Sequence, residues 1–143
     1  MIYTDATKKA MQMAYEKHKN QVDKSGVPYI FHPIHVAEQM DDEKSTIVAL
    51  LHDVVEDTDV TIDNLLNEGF TEEIVSAIKD MTKLKNEDYF EYLCRVKNNN
   101  ISKKVKLADL RHNSDLSRLN IITDEDLKRI EKYRKAIDFL TNW

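Results

Sequence analysis

The sequence predicts an all-α fold, and three observations carry that expectation. Glycine and proline, the residues that break helices, occur only twice each in 143 residues. The chain is rich in Lys, Glu, Leu and Ile, and its apolar residues recur at three- and four-residue spacing. Several of these periodic segments begin just after a Thr, Ser or Asp of the kind that caps helices. Hydrophobic residues make up 41% of the chain, enough for one domain over residues 1–143 with a core of its own.

The first helix is expected over about residues 5–20, capped by Thr4 or Asp5. It turns Ala6, Ala10, Met13 and Ala14 inward and leaves Lys8, Lys9, Glu16 and Lys17 in water. Residues 21–29 read as a loop because of Gly26 and Pro28; Lys24 and Ser25 there could hold a phosphate or simply stand solvated. Pro33 suits the first position of a helix, which puts His32 at the helix entrance in an extended conformation. Ile34, Val36, Ala37 and Met40 carry that helix inward, and His35 reads as structural or exposed. A helix beginning near Asp42 or Glu43 should contain His52. Thr61 caps a short helix with Ile62, Leu65 and Leu66, and Thr71 opens another through Met81. Residues 87–97 form a further helix, and Asn98 to Asn100 a loop. Ser102 is expected to cap the next helix, which runs to Asn113 and sets Asp109 within the buried run Val105, Leu107, Ala108 and Leu110. The last helix, about 123–142, opens at Thr123 or Asp124 and buries Leu127, Ile130, Tyr133, Ala136, Ile137 and Leu140. Phe139, Leu140 and Trp143 either close the core or form a dimer contact, so monomer and homo-oligomer both stay open.

Residues 47–57, IVALLHDVVED, are the stretch around which the rest is arranged. Ile47, Val48, Leu50, Leu51, Val54 and Val55 mark a buried helix, yet His52, Asp53, Glu56 and Asp57 are set among them. Burying such groups unpaired costs several kcal/mol or more, so they are normally paired or bound to a metal. Neighbours on a helix are about 100° apart, so His52 and Asp53 can reach one ion between them. Glu56 and Asp57 follow each of them one turn later, where a pair that handles water would sit. Equally, His52 and Asp53 could pair with each other, with Glu56, Asp57 and Asp59 forming a solvated helix end. Asp109 could cap or pair with Arg111, and Asn113 lies one turn beyond it on the same face. Arg129 and Tyr133 also share a face, where a surface Arg packed over a core Tyr is the plain reading.

The formal net charge of −5 argues against a nucleic-acid partner, although a local basic pocket for a phosphorylated small molecule remains compatible with it. The single Cys94 excludes an internal disulfide and fits a reducing cytoplasm. The residues from Met1 onward lack the apolar core of a signal peptide, and no apolar run is long enough to cross a bilayer.

His32, His52, Asp53 and Asp109 together make a mixed nitrogen and oxygen set suited to Mn²⁺, Fe²⁺, Co²⁺ or Zn²⁺. Such an ion can polarise a phosphoryl oxygen and activate water as a nucleophile. This His…His-Asp…Asp order resembles the HD-domain phosphohydrolases, an all-helical superfamily. Three motifs carry the resemblance further: Gly-x-Pro-Tyr-Ile-x-His-Pro at 26–33, His-Asp-x-x-Glu-Asp at 52–57, and Lys-Leu-Ala-Asp at 106–109 with His-Asn at 112–113. Together they are similar to the hydrolase domain of the RelA/SpoT family, enzymes that degrade the alarmones ppGpp and pppGpp. The similarity spans about Thr4 to Tyr133, and the length suits a stand-alone small alarmone hydrolase without a synthetase domain.

The resemblance implies an HD-domain helical bundle with His32, His52, Asp53 and Asp109 as ligands, usually of Mn²⁺. It implies Glu56 and Asp57 as the pair that orients or deprotonates the attacking water, and Lys24, Asn113, Arg129 and Tyr133 as substrate contacts. Water would attack the phosphorus on the 3′ oxygen, releasing pyrophosphate and leaving GDP or GTP. The sequence departs from the family at Asp23, where many members carry Arg, and at Leu116, where a polar residue is usual. It also reads Ala-Asp-Leu-Arg-His-Asn in place of the family's Ala-Asp-Arg-Leu-His-Asn. These departures touch substrate choice and leave the metal set intact. They keep open a different phosphorylated nucleotide, such as the 2′-phosphate of NADPH or a nucleoside monophosphate. A non-catalytic nucleotide sensor is a third reading, against which Glu56 and Asp57 speak.

Overall fold

A computed structural model describes residues 1–142. Its helices are α1 (Asp5–His18), α2 (Phe31–Glu38), α3 (Glu43–Leu51), α4 (Val54–Asp57), α5 (Ile62–Asn67), α6 (Glu72–Met81), α7 (Tyr89–Lys97), α8 (Asn100–Asn113) and α9 (Asp124–Thr141). Among the described residues there is no strand, only an isolated bridge between Val22 and Pro28. The fold is all-α, as the composition and periodicity lead one to expect.

Helix α3 is the hub. Every residue from Ser45 to Leu51 is buried, and α1, α2, α6 and α8 pack around it. Its side chains join those of α1, α2, α5, α6 and α8 in the larger apolar cluster, which includes Ala14, Val36, Leu65, Ile78 and Val105. A second cluster, of Tyr92, Leu93, Val96, Leu110, Ala136 and Leu140, ties α7 and α9 to the other face of α8. Because α8 lies between the two clusters, residues on its C-terminal half can face α2 and α3 on one side and α9 on the other.

The helix starts at Thr4, Asp42, Thr61, Thr71, Asp88 and Thr123 each have a side-chain oxygen that accepts an amide of the first turn. Elsewhere the structure differs from the sequence expectation. Helix α1 stops at His18, whose ring is fully buried. His32 is the second residue of α2, with Ile30 at the helical cap position, so it is helical rather than extended. Pro33 is tolerated there because amides of the first turn need no intrahelical acceptor. Ser102 does not cap α8: Asn99 does, accepting the amides of Ile101 and Ser102 at 3.1 and 3.2 Å. The Ser102 hydroxyl is instead buried and donates to the Ala77 carbonyl at 2.8 Å.

The most consequential difference is that His52 and Asp53 do not lie within one continuous helix. They form the joint between α3 and α4. No Gly or Pro marks this joint. His52 Nδ1 donates to the Ala49 carbonyl at 2.6 Å, the acceptor that the Asp53 amide would use in an unbroken helix. The chain resumes at once, with the Asp57 amide bonded to the Asp53 carbonyl at 2.9 Å, so Asp57 still follows Asp53 by one turn. Of the apolar C-terminal residues, Leu140 is buried in the second cluster and Phe139 packs on Phe90 with ring centroids 4.8 Å apart. Trp143 lies outside the described residues.

Candidate metal centre and adjoining pocket

Three elements deliver buried nitrogen and oxygen atoms to one point. The first turn of α2 brings His32, the α3–α4 joint brings His52, and the middle of α8 brings Asp109. One ligand-type atom from each lies within 4.8 Å of the others. His32 Nε2 is 2.8 Å from Asp109 Oδ1, and His52 Nε2 is 3.3 Å from the same oxygen. Asp53 joins from the side, its Oδ2 being 3.0 Å from His52 Nε2 and 3.9 Å from His32 Nε2. Asp53, Glu56 and Asp57 also bring carboxylate oxygens within 4.8 Å of one another, making an acidic flank to the buried group.

The hydrogen bonds around these rings fix which nitrogen is free. His52 Nδ1 carries its proton to the Ala49 carbonyl, which leaves Nε2 turned inward. That Nε2 is buried and has no aligned hydrogen-bond partner, although two carboxylate oxygens stand within 3.3 Å. His32 Nδ1 is 2.7 Å from His112 Nδ1. The two rings lie within 7° of parallel with centroids 5.0 Å apart, close to the sum of that contact and two ring radii. They therefore meet edge to edge, one Nδ1 donating to the other. Burial and the nearby Arg118 charge lower the His112 pKa to about 4, so His112 is neutral and can accept the His32 proton. His35 stacks on the outer face of His112 at 3.9 Å.

The carboxylates are braced as well. Burial opposes the charge of Asp109, but Lys106, His32 and His52 outweigh it and hold Asp109 well below the usual carboxylate range. Lys106 Nζ stands 3.0 Å from Asp109 Oδ2, and Asn113 Nδ2 donates to Asp109 Oδ1 at 3.1 Å. The Tyr29 hydroxyl donates to Asp53 Oδ2. Burial likewise works against a charged His52 ring, yet Asp53 and Asp109 push its pKa well above the usual histidine value. The two carboxylates thus favour a positive charge at this point, which a divalent cation on the unpartnered Nε2 would supply. The donor set fits such an ion.

Burial raises the pKa of both Glu56 and Asp57, and the Asp53 charge adds to each shift. Both remain open to solvent. Glu56 is not wholly free, because its Oε1 accepts the Lys83 amide at 2.9 Å.

Beside the centre lies a cavity of about 300 Å³ lined by, among others, Lys24, Tyr29, Asn113, Arg118, Arg129 and Tyr133. The four residues read from the sequence as substrate contacts are therefore together. Lys24 Nζ and Arg129 NH1 each stand 3.1 Å from one oxygen of Asp126, whose other oxygen accepts the amide and hydroxyl of Thr123 at 2.9 Å. Asp126 thereby places both cations at the wall. Sequence reasoning missed Asp126, His112, Lys106 and Arg118. Lys106 and His112 stand in the motif at 106–113 without a role read for either, Thr123-x-x-Asp126 signalled only a helix cap, and Arg118 carried no signal. Arg111 is exposed and makes no contact with Asp109 among the described residues.

Comparison with known proteins places the chain in a family. The HD domain family model matches residues 10–136. A guanosine-3′,5′-bis(diphosphate) 3′-pyrophosphohydrolase of Borreliella burgdorferi is 40% identical over 122 residues, 73% of this chain and 18% of that protein. A probable enzyme of the same name from Synechocystis is 34% identical across 90% of this chain and 19% of that protein. The chain thus spans about a fifth of the length of these curated relatives. A solved structure reported as a metazoan ortholog of SpoT that hydrolyses ppGpp superposes with a TM-score of 0.81 at 26% identity. That match covers 99% of this chain and 89% of that one. With its family pattern matched over nearly the whole length and its histidines and aspartates gathered at one buried point, the chain belongs to the HD-domain family.

Proposed function

We propose that this protein is a metal-dependent phosphohydrolase that removes the 3′-diphosphate of ppGpp or pppGpp, giving GDP or GTP and pyrophosphate. The observation that carries it is the convergence of His32, His52 and Asp109 around an unpartnered, buried His52 Nε2, next to a cavity with Lys24, Arg118 and Arg129 on its wall. The similarity to ppGpp hydrolases, one of them matched over 89% of its own length, supports the substrate class.

His32, His52, Asp53 and Asp109 would hold the ion, and two imidazoles with two carboxylates suit Mn²⁺ among the divalent transition metals. When bound, such an ion polarises a phosphoryl oxygen and lowers the pKa of water. Lys24, Arg129, Tyr133 and Asn113 bind and orient the nucleotide. Glu56 and Asp57, with their raised pKa values, take the proton of the attacking water. The oxygen of that water bonds to the phosphorus on the 3′ oxygen. The bond from phosphorus to that 3′ oxygen breaks, and the 3′ oxygen leaves as a hydroxyl once protonated. The lone Cys94 is free, consistent with action in a reducing cytoplasm, and the partner is a small phosphorylated nucleotide rather than a nucleic acid.

One observation favours a second substrate. Asp23, Asp115 and Asp126 line the same cavity as its three cations, so its formal charge is balanced. A less highly charged nucleotide, such as NADPH at its 2′-phosphate or a nucleoside monophosphate, meets less repulsion there. Purified protein with Mn²⁺ is incubated separately with ppGpp, NADPH and nucleoside monophosphates, and the products are resolved by chromatography. Pyrophosphate and GDP from ppGpp, at the highest kcat/KM of the panel, is the expected result. Inorganic phosphate from NADPH or a monophosphate, with ppGpp left intact, would refute the alarmone assignment.

A further inference from the structure

The 3-10 turn after α8, Leu116–Arg118, is held at both ends. Asp115 accepts the Ser117 amide at 3.0 Å, and the Arg118 carbonyl accepts the Ser25 hydroxyl at 2.8 Å. Arg118 is thereby fastened to the loop that carries Lys24. Its side chain lines the cavity described above and also a second one, with His32, His35 and His112. It forms part of the wall between them.

A guanidinium has five N–H donors and no acceptor. Arg118 NH1 reaches the His112 carbonyl at 2.9 Å and Asn113 Oδ1 at 3.3 Å. NH2 stands 3.8 Å from Asp23 Oδ2, beyond hydrogen-bond range, so donors remain to be offered. Asp23 is otherwise engaged, its Oδ1 accepting the Ser25 and Val27 amides at 2.8 and 3.0 Å. The carboxylate at position 23 therefore braces its own loop and faces a cation. Because Arg118 can only donate, it turns Oδ1 of Asn113 toward itself and leaves Nδ2 for Asp109. Two hydrogen bonds thus separate Arg118 from a carboxylate of the metal centre.

Resting on the hydrolase reading above, we propose that Arg118 contacts a phosphate group of the nucleotide substrate, and that Asp23 anchors Arg118 rather than repelling the ligand. The positive charge absent at position 23 is supplied from the turn after α8, 95 residues further along the chain (118 − 23). A planar guanidinium with free donors suits a phosphate better than a lysine, which binds as a point charge.

The test is steady-state kinetics and equilibrium binding of ppGpp to the Mn²⁺-loaded wild type and to Arg118→Gln, Arg118→Lys and Asp23→Asn, with metal content and melting temperature recorded for each. Loss of a charge-assisted contact raises KM and Kd for Arg118→Gln about ten- to a hundredfold, with a smaller change in kcat. Arg118→Lys recovers part of that loss. Asp23→Asn keeps an oxygen for the loop amides but removes the charge that holds Arg118, so KM rises by less than in Arg118→Gln. A fall in KM would show that Asp23 repels the ligand and overturn its anchoring role. An unchanged KM and Kd in folded, metal-loaded Arg118→Gln would overturn the inference, as would a loss that appears only together with lost metal or a lowered melting temperature. Wild type that binds ppGpp without cleaving it would defeat the hydrolase reading alone, and Kd of the variants would still decide the role of Arg118. Wild type that does not bind ppGpp would defeat both.

Discussion

Removing the His112 ring tests how the metal centre is held. To present Nε2 to a cation, His32 must carry its proton on Nδ1, and the 2.7 Å contact to His112 Nδ1 is where that proton goes. His112→Ala leaves a buried N–H without an acceptor, a cost of about 1–3 kcal/mol. Without metal, His32 can move the proton to Nε2, 2.8 Å from Asp109, so the cost falls mainly on the metal-bound form. At 1.4 kcal/mol per tenfold, metal affinity should fall about 5- to 150-fold. That range brackets the roughly 10- to 100-fold typical when a partner of a ligating histidine is lost. His112→Asn places an amide oxygen near the position of Nδ1 and should bind within a few-fold of wild type. Competition for Mn²⁺ against a fluorescent chelator gives both constants, and thermal melts without metal check the fold. Wild-type affinity in folded His112→Ala would refute the claim that this hydrogen bond fixes the His32 tautomer.

Replacing Glu56 or Asp57 by its amide should lower kcat by roughly 10²–10⁴ while leaving bound metal, measured by elemental analysis, nearly unchanged. With both carboxyl pKa values raised, activity should fall on acidification at a pH above the ordinary carboxylate range, and a pH–rate profile of kcat/KM shows where. Asp126→Asn should raise KM by loosening Lys24 and Arg129 together, which substrate titration detects. Thr123, through its amide and hydroxyl, and Lys24 hold the Asp126 pKa below its unfolded value. Its stabilising contribution is therefore complete above the unfolded pKa of about 4 and is lost as pH falls toward the folded value, so acid melts of Asp126→Asn should show a weaker pH dependence than wild type. Leu50→Ala, in the fully buried hub helix, should cost about 2–5 kcal/mol, a melting temperature lower by roughly 4–20 °C.

What the sequence made legible was local pattern and residue chemistry. The capping residues before α1, α5, α6 and α9 stand where spacing placed them. An aspartate in an apolar run of α8 and a His-Asp pair in an apolar run after Asp42 already implied a buried polar site. The joint at His52 and Asp53 was hidden, because it comes from a side chain taking a backbone acceptor and not from a Gly or Pro. Ser102 looked like a cap, and its hydroxyl was spent on Ala77, 25 residues away. His112, Asp126 and Arg118 gain their meaning only from His32, Lys24 and Asp23, 80, 102 and 95 residues distant (112 − 32, 126 − 24, 118 − 23). No periodicity reports such pairings.

The central claim, a cation on His32, His52, Asp53 and Asp109 driving cleavage of a 3′-diphosphate, is met most directly by one assay. Pyrophosphate released from ppGpp is followed with Mn²⁺ present, after chelation, after Mn²⁺ is restored, and in His52→Ala. Release that stops on chelation, returns with Mn²⁺ and is absent from folded His52→Ala is the predicted result. Release that persists after chelation, or in His52→Ala, would contradict it.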